Sequence, residues 1–291
     1  MRYASGQAFL DAPNKTIAFV GMSGTGKTTL GQRFDRERWF NYSVDYRIGT
    51  WHLSEAIHDD LTALAAQEPT LRDLLRSDSI YIRNNITPHN LAALSRYIGK
   101  LGNPAQGGRA LADFRERQAR HAAAERAALM DIPRFIERAQ RLYGYPHFLV
   151  DAGGSLCEVM DFAALDRCPI YQLLAEQVLV VNLVPDSAMM ETLIARQLAY
   201  PKPMYYRPAF LDAAIEAFLA ETQLAEIDLA DCDAFVRFVI PRLAESRAPR
   251  YQILGERLGV NLPLAEVAGL NDGDTILGRI AQAIDAKVAA D

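Results

Sequence analysis

The stretch TIAFVGMSGTGKT, residues 16–28, decides how the rest of the chain is read. Residues 16–20 are apolar, rich in β-formers and closed by a glycine, so they read as a buried strand. Gly21, Met22, Ser23, Gly24, Thr25, Gly26, Lys27 and Thr28 then fit the pattern GxxxxGK[ST], and residues 27–38 read as a helix. A strand before the motif and a helix after it are the context this motif requires. The glycines let the backbone wrap closely around phosphate oxygens with its N–H groups turned inward. The helix N-terminus adds partial positive charge. Lys27 reaches the β- and γ-phosphates, and Thr28 offers its hydroxyl to Mg²⁺. Residues 21–29, Thr29 included, are the expected nucleotide-binding run.

Working outward, four more apolar runs read as strands: 39–44, ending at Asp45; 147–150, ending in Asp151-Ala-Gly153-Gly154; 177–183; and 260–264. Helical patterns cover 187–198, 209–223, 230–247 and 274–288. Strands alternating with helices predict an α/β fold. With the motif, the expectation is a three-layer α/β/α P-loop NTPase with a mostly parallel five-stranded sheet. AYPKPMYYRPAFL, 199–211, has three prolines and reads as a loop or lid. Residues 52–145 are helical in pattern, broken by GKLGNPAQGG at 99–108. They carry 13 Arg and Lys against 11 Asp and Glu. The expected organisation is one discontinuous core, 13–51 and 146–291, with a helical insertion at 52–145.

Composition narrows the function. The chain has 291 residues, half of them hydrophobic, and a net charge of −5, which disfavours long nucleic acid as a partner. Arginine outnumbers lysine 26 to 5. Base composition of the genome accounts for such a skew, and so does a need for planar donors to phosphate or carboxylate. Cys157, Cys168 and Cys232 form no CxxC pair, so neither a disulfide framework nor a zinc site is expected, and a cytoplasmic location fits. The five histidines are scattered. No apolar run reaches the ~18 residues of a membrane span, and MRYASGQAFLDAPNK lacks a secretory pattern.

Five segments, in order, resemble the shikimate kinases among the P-loop small-molecule kinases. They are GMSGTGKTTLG at 21–31, FNYSVDYRI at 40–48, FLVDAGGS at 148–155, Arg196 with Arg207-Pro208, and RAPRY at 247–251. The resemblance implies an ATP-dependent, Mg²⁺-dependent transfer to a hydroxyl. It implies that Asp45 orients the acceptor, Arg207 answers γ-phosphate charge, and Arg196 lies over the adenine. It also implies that Gly153, Gly154 and Arg247 meet the acceptor. Asp151 ends its strand as a Walker-B carboxylate does and is expected to hold Mg²⁺ with Thr28. An Asp at 45 also suits a helix cap, one at 151 a plain turn, and the arginines surface ion pairs.

Two departures matter. Ser43 stands where the family has an Asp that helps hold Mg²⁺ water. The interval from Asp45 to Gly153 is far longer than the family uses. FRERQ at 114–118 only loosely matches the family's F-R-x-x-E helix, with Gln118 breaking the pattern, and leaves Arg115 as a substrate-contact candidate. The expected activity is therefore phosphoryl transfer to a small hydroxylated, anionic metabolite other than shikimate. The alternative is an ATPase or nucleotide-dependent switch that acts on a protein partner through the helical insertion.

Overall fold

A computed structural model describes residues 3–290. Met1, Arg2 and Asp291, the last residue of the expected core, lie outside the described residues. Five strands form one parallel sheet: β1 (Thr16–Val20), β2 (Trp39–Ser43), β3 (His147–Asp151), β4 (Leu179–Val184) and β5 (Gly259–Pro263). Their order is β2-β3-β1-β4-β5. Each strand falls within two residues of its apolar run, and all pairs are parallel.

The chain divides into two compact units. The first runs up to Val44 and takes in Leu129–Pro201 and everything from Arg237 on; it contains the sheet. Strands β1 and β3 are buried at every position, which requires cover on both faces. On one face Ile17, Phe19, Leu149 and Val181 pack with Phe9, Leu30, Ile276, Ile280 and Ile284. The last three recur every four residues along the helix Gly273–Ala290, as one apolar stripe does. Each fully buried side chain of this kind contributes about 1.5–3 kcal/mol.

The strand order contains a change of direction. From β1 the chain moves toward the β2 edge, whereas from β3 and β4 it moves toward the β5 edge. The connections of β1 and of both its neighbours therefore diverge at the carboxyl end of β1. That is a topological switch point, where open α/β sheets form their crevice.

Two helices differ from expectation. The one expected over 27–38 is confined to Lys27–Gly31. Asp35 turns the chain instead: its side chain accepts from Glu37 N, and its carbonyl from Arg38 N and Trp39 N. The one expected over 230–247 runs as Cys232–Leu258, through Pro241 and Pro249. Each proline removes one intrahelical hydrogen bond. Tyr251, Leu254 and Leu258 beyond Pro249 are nevertheless buried, which holds the last turns helical.

The second unit is Asp45–Ala128 with Lys202–Val236. The sequence reading leaves 202–236 with the core; hydrogen bonds group it here. Leu111 N donates to Asp228, Asn103 N donates to the Ala230 carbonyl, and Lys100 pairs with Asp233. Residues 129–145, read as part of the insertion, are grouped with the first unit and hold the helix Ile132–Tyr143. Among the described residues, no helix is long and apolar enough to cross a membrane.

Candidate functional site

Residues 21–28 leave β1 at the switch point. Gly21, Gly24 and Gly26 have φ of 134°, 91° and 83°, which side-chain-bearing residues rarely adopt. The loop wraps around Lys27, whose buried ammonium donates to the carbonyls of Gly21 and Met22 at 2.9 Å each. Thr25 Oγ1 also donates to the Met22 carbonyl at 2.9 Å. Gln197 Nε2 holds the Ser23 carbonyl at 3.1 Å, so the helix Ser187–Ala199 braces the loop.

Thr28 Oγ1 donates to Asp151 Oδ2 at 2.6 Å, across 123 positions of sequence. This follows from register. Asp151 ends β3 beside Phe19 of β1 on one side and Ser43 of β2 on the other. The helix Lys27–Gly31 packs on that same face through Leu30. A hydroxyl and a carboxylate thus meet at the carboxyl end of the sheet, with Ser43 one strand away.

A cleft of about 680 Å³ opens along the loop. Gly24, Thr25, Gly26 and Thr29 line one side; Asp186, Thr192, Leu193 and Arg196 line another, and Leu264 and Leu270 close it. Asp186 caps the helix that carries Arg196, accepting from Met189 N at 2.8 Å. The volume is that of a small-molecule site.

Beyond β3, Gly154 lies so close to Ser23 that a Cβ would collide with the Ser23 side chain. Arg247 Nη1 donates to the Gly154 carbonyl at 3.0 Å, and its Nε to Glu158 Oε1 at 3.0 Å. Arg250 reaches the same Glu158 oxygen at 3.3 Å. Burial by itself would lower the Arg247 pKa, but Cys157, Glu158 and Tyr251 outweigh it and the net direction is up. Burial also pushes the Cys157 thiol up to about 11, against the pull of Arg247, which leaves it protonated and unreactive. Sequence reasoning missed Glu158, Arg250 and Gln197. A glutamate within GSLCEVM carries no pattern that announces a fully buried carboxylate.

The predicted residues divide between the units. Residues 21–29, Asp151, Gly153, Gly154, Arg196 and Arg247 belong to the first. Asp45, Arg115 and Arg207 belong to the second. Asp45 is half-buried in the first turn of the short helix Val44–Arg47. Arg115 is exposed and pairs with Asp212 at 2.7 Å. Arg207 is half-buried and precedes Pro208, the first residue of the helix Pro208–Thr222. The neighbouring Arg117 has a structural place, bonded to Asp60 and Asp113 at 2.8 Å each and to the Tyr97 carbonyl at 2.9 Å.

Comparison of the chain with family models, with curated proteins and with solved structures gives no match.

Proposed function

We propose that this protein is an ATP-dependent phosphotransferase of the P-loop class, acting on a small hydroxylated, anionic metabolite. The bond between Thr28 Oγ1 and Asp151 Oδ2 carries the reading. A hydroxyl from the start of a helix and a carboxylate from the neighbouring strand are a Mg²⁺ donor set. Mg²⁺ binds few protein oxygens and completes its shell with water and substrate phosphates. Thr28 and Asp151 would hold Mg²⁺ there, and the ion would supply charge neutralisation to the phosphates. The donor set fits the ion without help from residue 43, where Ser43 offers a hydroxyl rather than a second carboxylate.

The chain's own groups supply the rest. Lys27, threaded through the loop, turns its ammonium from backbone carbonyls to phosphate oxygens. The positive-φ glycines keep side chains out of the phosphate path. The cleft beside Thr29 and Arg196 takes the base, with the Arg196 guanidinium against its plane. Transfer further needs a carboxylate to orient the acceptor hydroxyl and a cation to meet the charge that develops on the transferred group.

Two measurements test this. Calorimetry with Mg²⁺-ATP should show binding to the wild type and a loss of at least about tenfold in affinity for Lys27→Ala. A panel of hydroxylated acids, followed by ADP release, should contain a compound that stimulates turnover. Binding without stimulation by any of them, alongside steady basal hydrolysis, overturns phosphotransfer in favour of an ATPase switch. Unchanged affinity in Lys27→Ala overturns both.

A further inference from the structure

We infer that Gln197 is a positioning residue for the phosphate-binding loop, setting the peptide plane between Ser23 and Gly24. The inference rests on the reading above, in which residues 21–29 take the phosphates of a nucleotide. Gln197 is half-buried on the helix Ser187–Ala199, and its Nε2 donates to the Ser23 carbonyl at 3.1 Å. A trans peptide is planar, so its C=O and its N–H point opposite ways. With the Ser23 carbonyl drawn toward the helix, the N–H of Gly24 is turned away from it. That plane needs holding. Gly24 has a φ of 91°, and glycine takes either sign of φ at little cost, so the peptide before it is easily flipped. Flipped, it would set a carbonyl oxygen where an N–H is needed for a phosphate oxygen.

Neighbours on the same helix face meet the loop beside this bond. Leu193, Arg196 and Gln197 lie at i, i+3 and i+4, one stripe of an α-helix. Gly24 packs so closely on Leu193 that a Cβ there would lie 3.1 Å from Leu193 Cδ2. Arg196 lines the cleft. The start of the helix is itself fixed, because Asp186 accepts from Met189 N. On the other flank the Ser23 side chain meets Gly154, whose carbonyl Arg247 holds. Ser23 is thus held from two sides, and Gln197 acts on the peptide that follows it. A donor must be held within a fraction of an ångström to be effective. Gln197 serves phosphate binding through Gly24 rather than by touching phosphate itself.

The test uses the full-length protein, with Mg²⁺-tripolyphosphate as the probe and amide hydrogen exchange as the readout. In the wild type the probe should slow exchange at Gly24 N and at Lys27 N by about tenfold or more. Gln197→Met keeps the length and helix preference of the side chain and removes its donor. In that variant protection should be lost at Gly24 but kept at Lys27, and affinity for the probe should fall about tenfold. A merely structural role would lower both amides together. Gln197→Asn keeps the amide but is one carbon too short for the Ser23 carbonyl. It should repeat the result, and it stands in if the methionine variant fails to fold. Gly24 still protected in the variants, unchanged affinity, joint loss at both amides, or a wild type protected at Lys27 but not at Gly24 overturns the positioning role alone. A wild type in which the probe protects neither amide overturns the nucleotide reading and this inference with it, so the two failures are told apart.

Discussion

Lys27 and Arg247 are both buried cations beyond the carboxyl end of the sheet, and they are held in opposite ways. Lys27 donates to two backbone carbonyls of its own loop. Arg247 donates to the carboxylate of Glu158, which Arg250 shares. A carbonyl is a neutral acceptor that a phosphate oxygen can displace; a buried carboxylate pair is costly to separate. Arg247 is thereby part of the frame, whereas on the reading proposed above Lys27 turns to phosphate oxygens. Through the Gly154 carbonyl, Arg247 instead fixes the turn that packs on Ser23. This gives the RAPRY segment a structural duty beside the acceptor contact that its resemblance implies.

The sharpest break of that comparison is Glu158→Leu. It leaves two arginines buried without their carboxylate, and a loss of about 3–5 kcal/mol is expected in urea unfolding. A loss below about 1 kcal/mol would mean that the frame does not depend on the pair. Lys27→Met is the counterpart. Turnover should fall by roughly 10²-fold or more, while unfolding free energy changes by less than about 1 kcal/mol. Large destabilisation would make Lys27 a frame residue too.

A third group sharpens the contrast, because the fold refuses it a charge. His147 is buried; its Nδ1 accepts from Lys15 N at 3.2 Å, and Lys15 and Arg38 stand nearby. Burial first, then those two cations, lower its pKa from 6.5 to about 4. The unfolded chain therefore binds a proton that the folded one declines. Stability from this group is complete above about pH 6.5 and is lost progressively as pH falls toward 4, by on the order of 2 kcal/mol after allowing for solvent screening. Unfolding curves for His147→Asn should lack this share of the acid slope. An identical slope would show that His147 is not its source.

The smallest effect concerns the metal. Ser43 is in register with Asp151, and neighbouring strands lie about 4.8 Å apart. Ser43→Asp brings a second carboxylate to the same edge. The Mg²⁺ concentration for half-maximal activity should fall a few-fold, with stability little changed. No shift in that concentration would place the ion away from residue 43.

Much of the first unit is legible because its signals are local. TIAFV, HFLVD and LVVNLV announce themselves by unbroken apolar runs, and the glycines of 21–26 by their spacing. The Thr28–Asp151 pair follows once those strands are neighbours. What escapes is decided by distant partners. The helix at Lys27–Gly31 ends because Asp35 bonds the backbone of residues that follow it. Glu158 matters only because a helix returns about ninety residues later with Arg247. Gln118 reads as a flaw in a motif until Met204 and Tyr206 are seen bonded to it. Residues 202–236 join the second unit through contacts such as Asp228 with Leu111, which no local pattern encodes.

The separation of β1 from its partners has a further consequence during synthesis. Both neighbours of β1, β3 and β4, lie more than 120 residues downstream. At about 5–20 residues per second, roughly seven to twenty-six seconds pass between translation of β1 and of β3. Through that interval TIAFV is an apolar strand with both edges open, the kind of segment that holdase chaperones cover and that associates with other nascent chains. Slower, cooler expression should favour the native yield. The loop that begins at Gly21 takes its final shape only after β3 and β4 have been made.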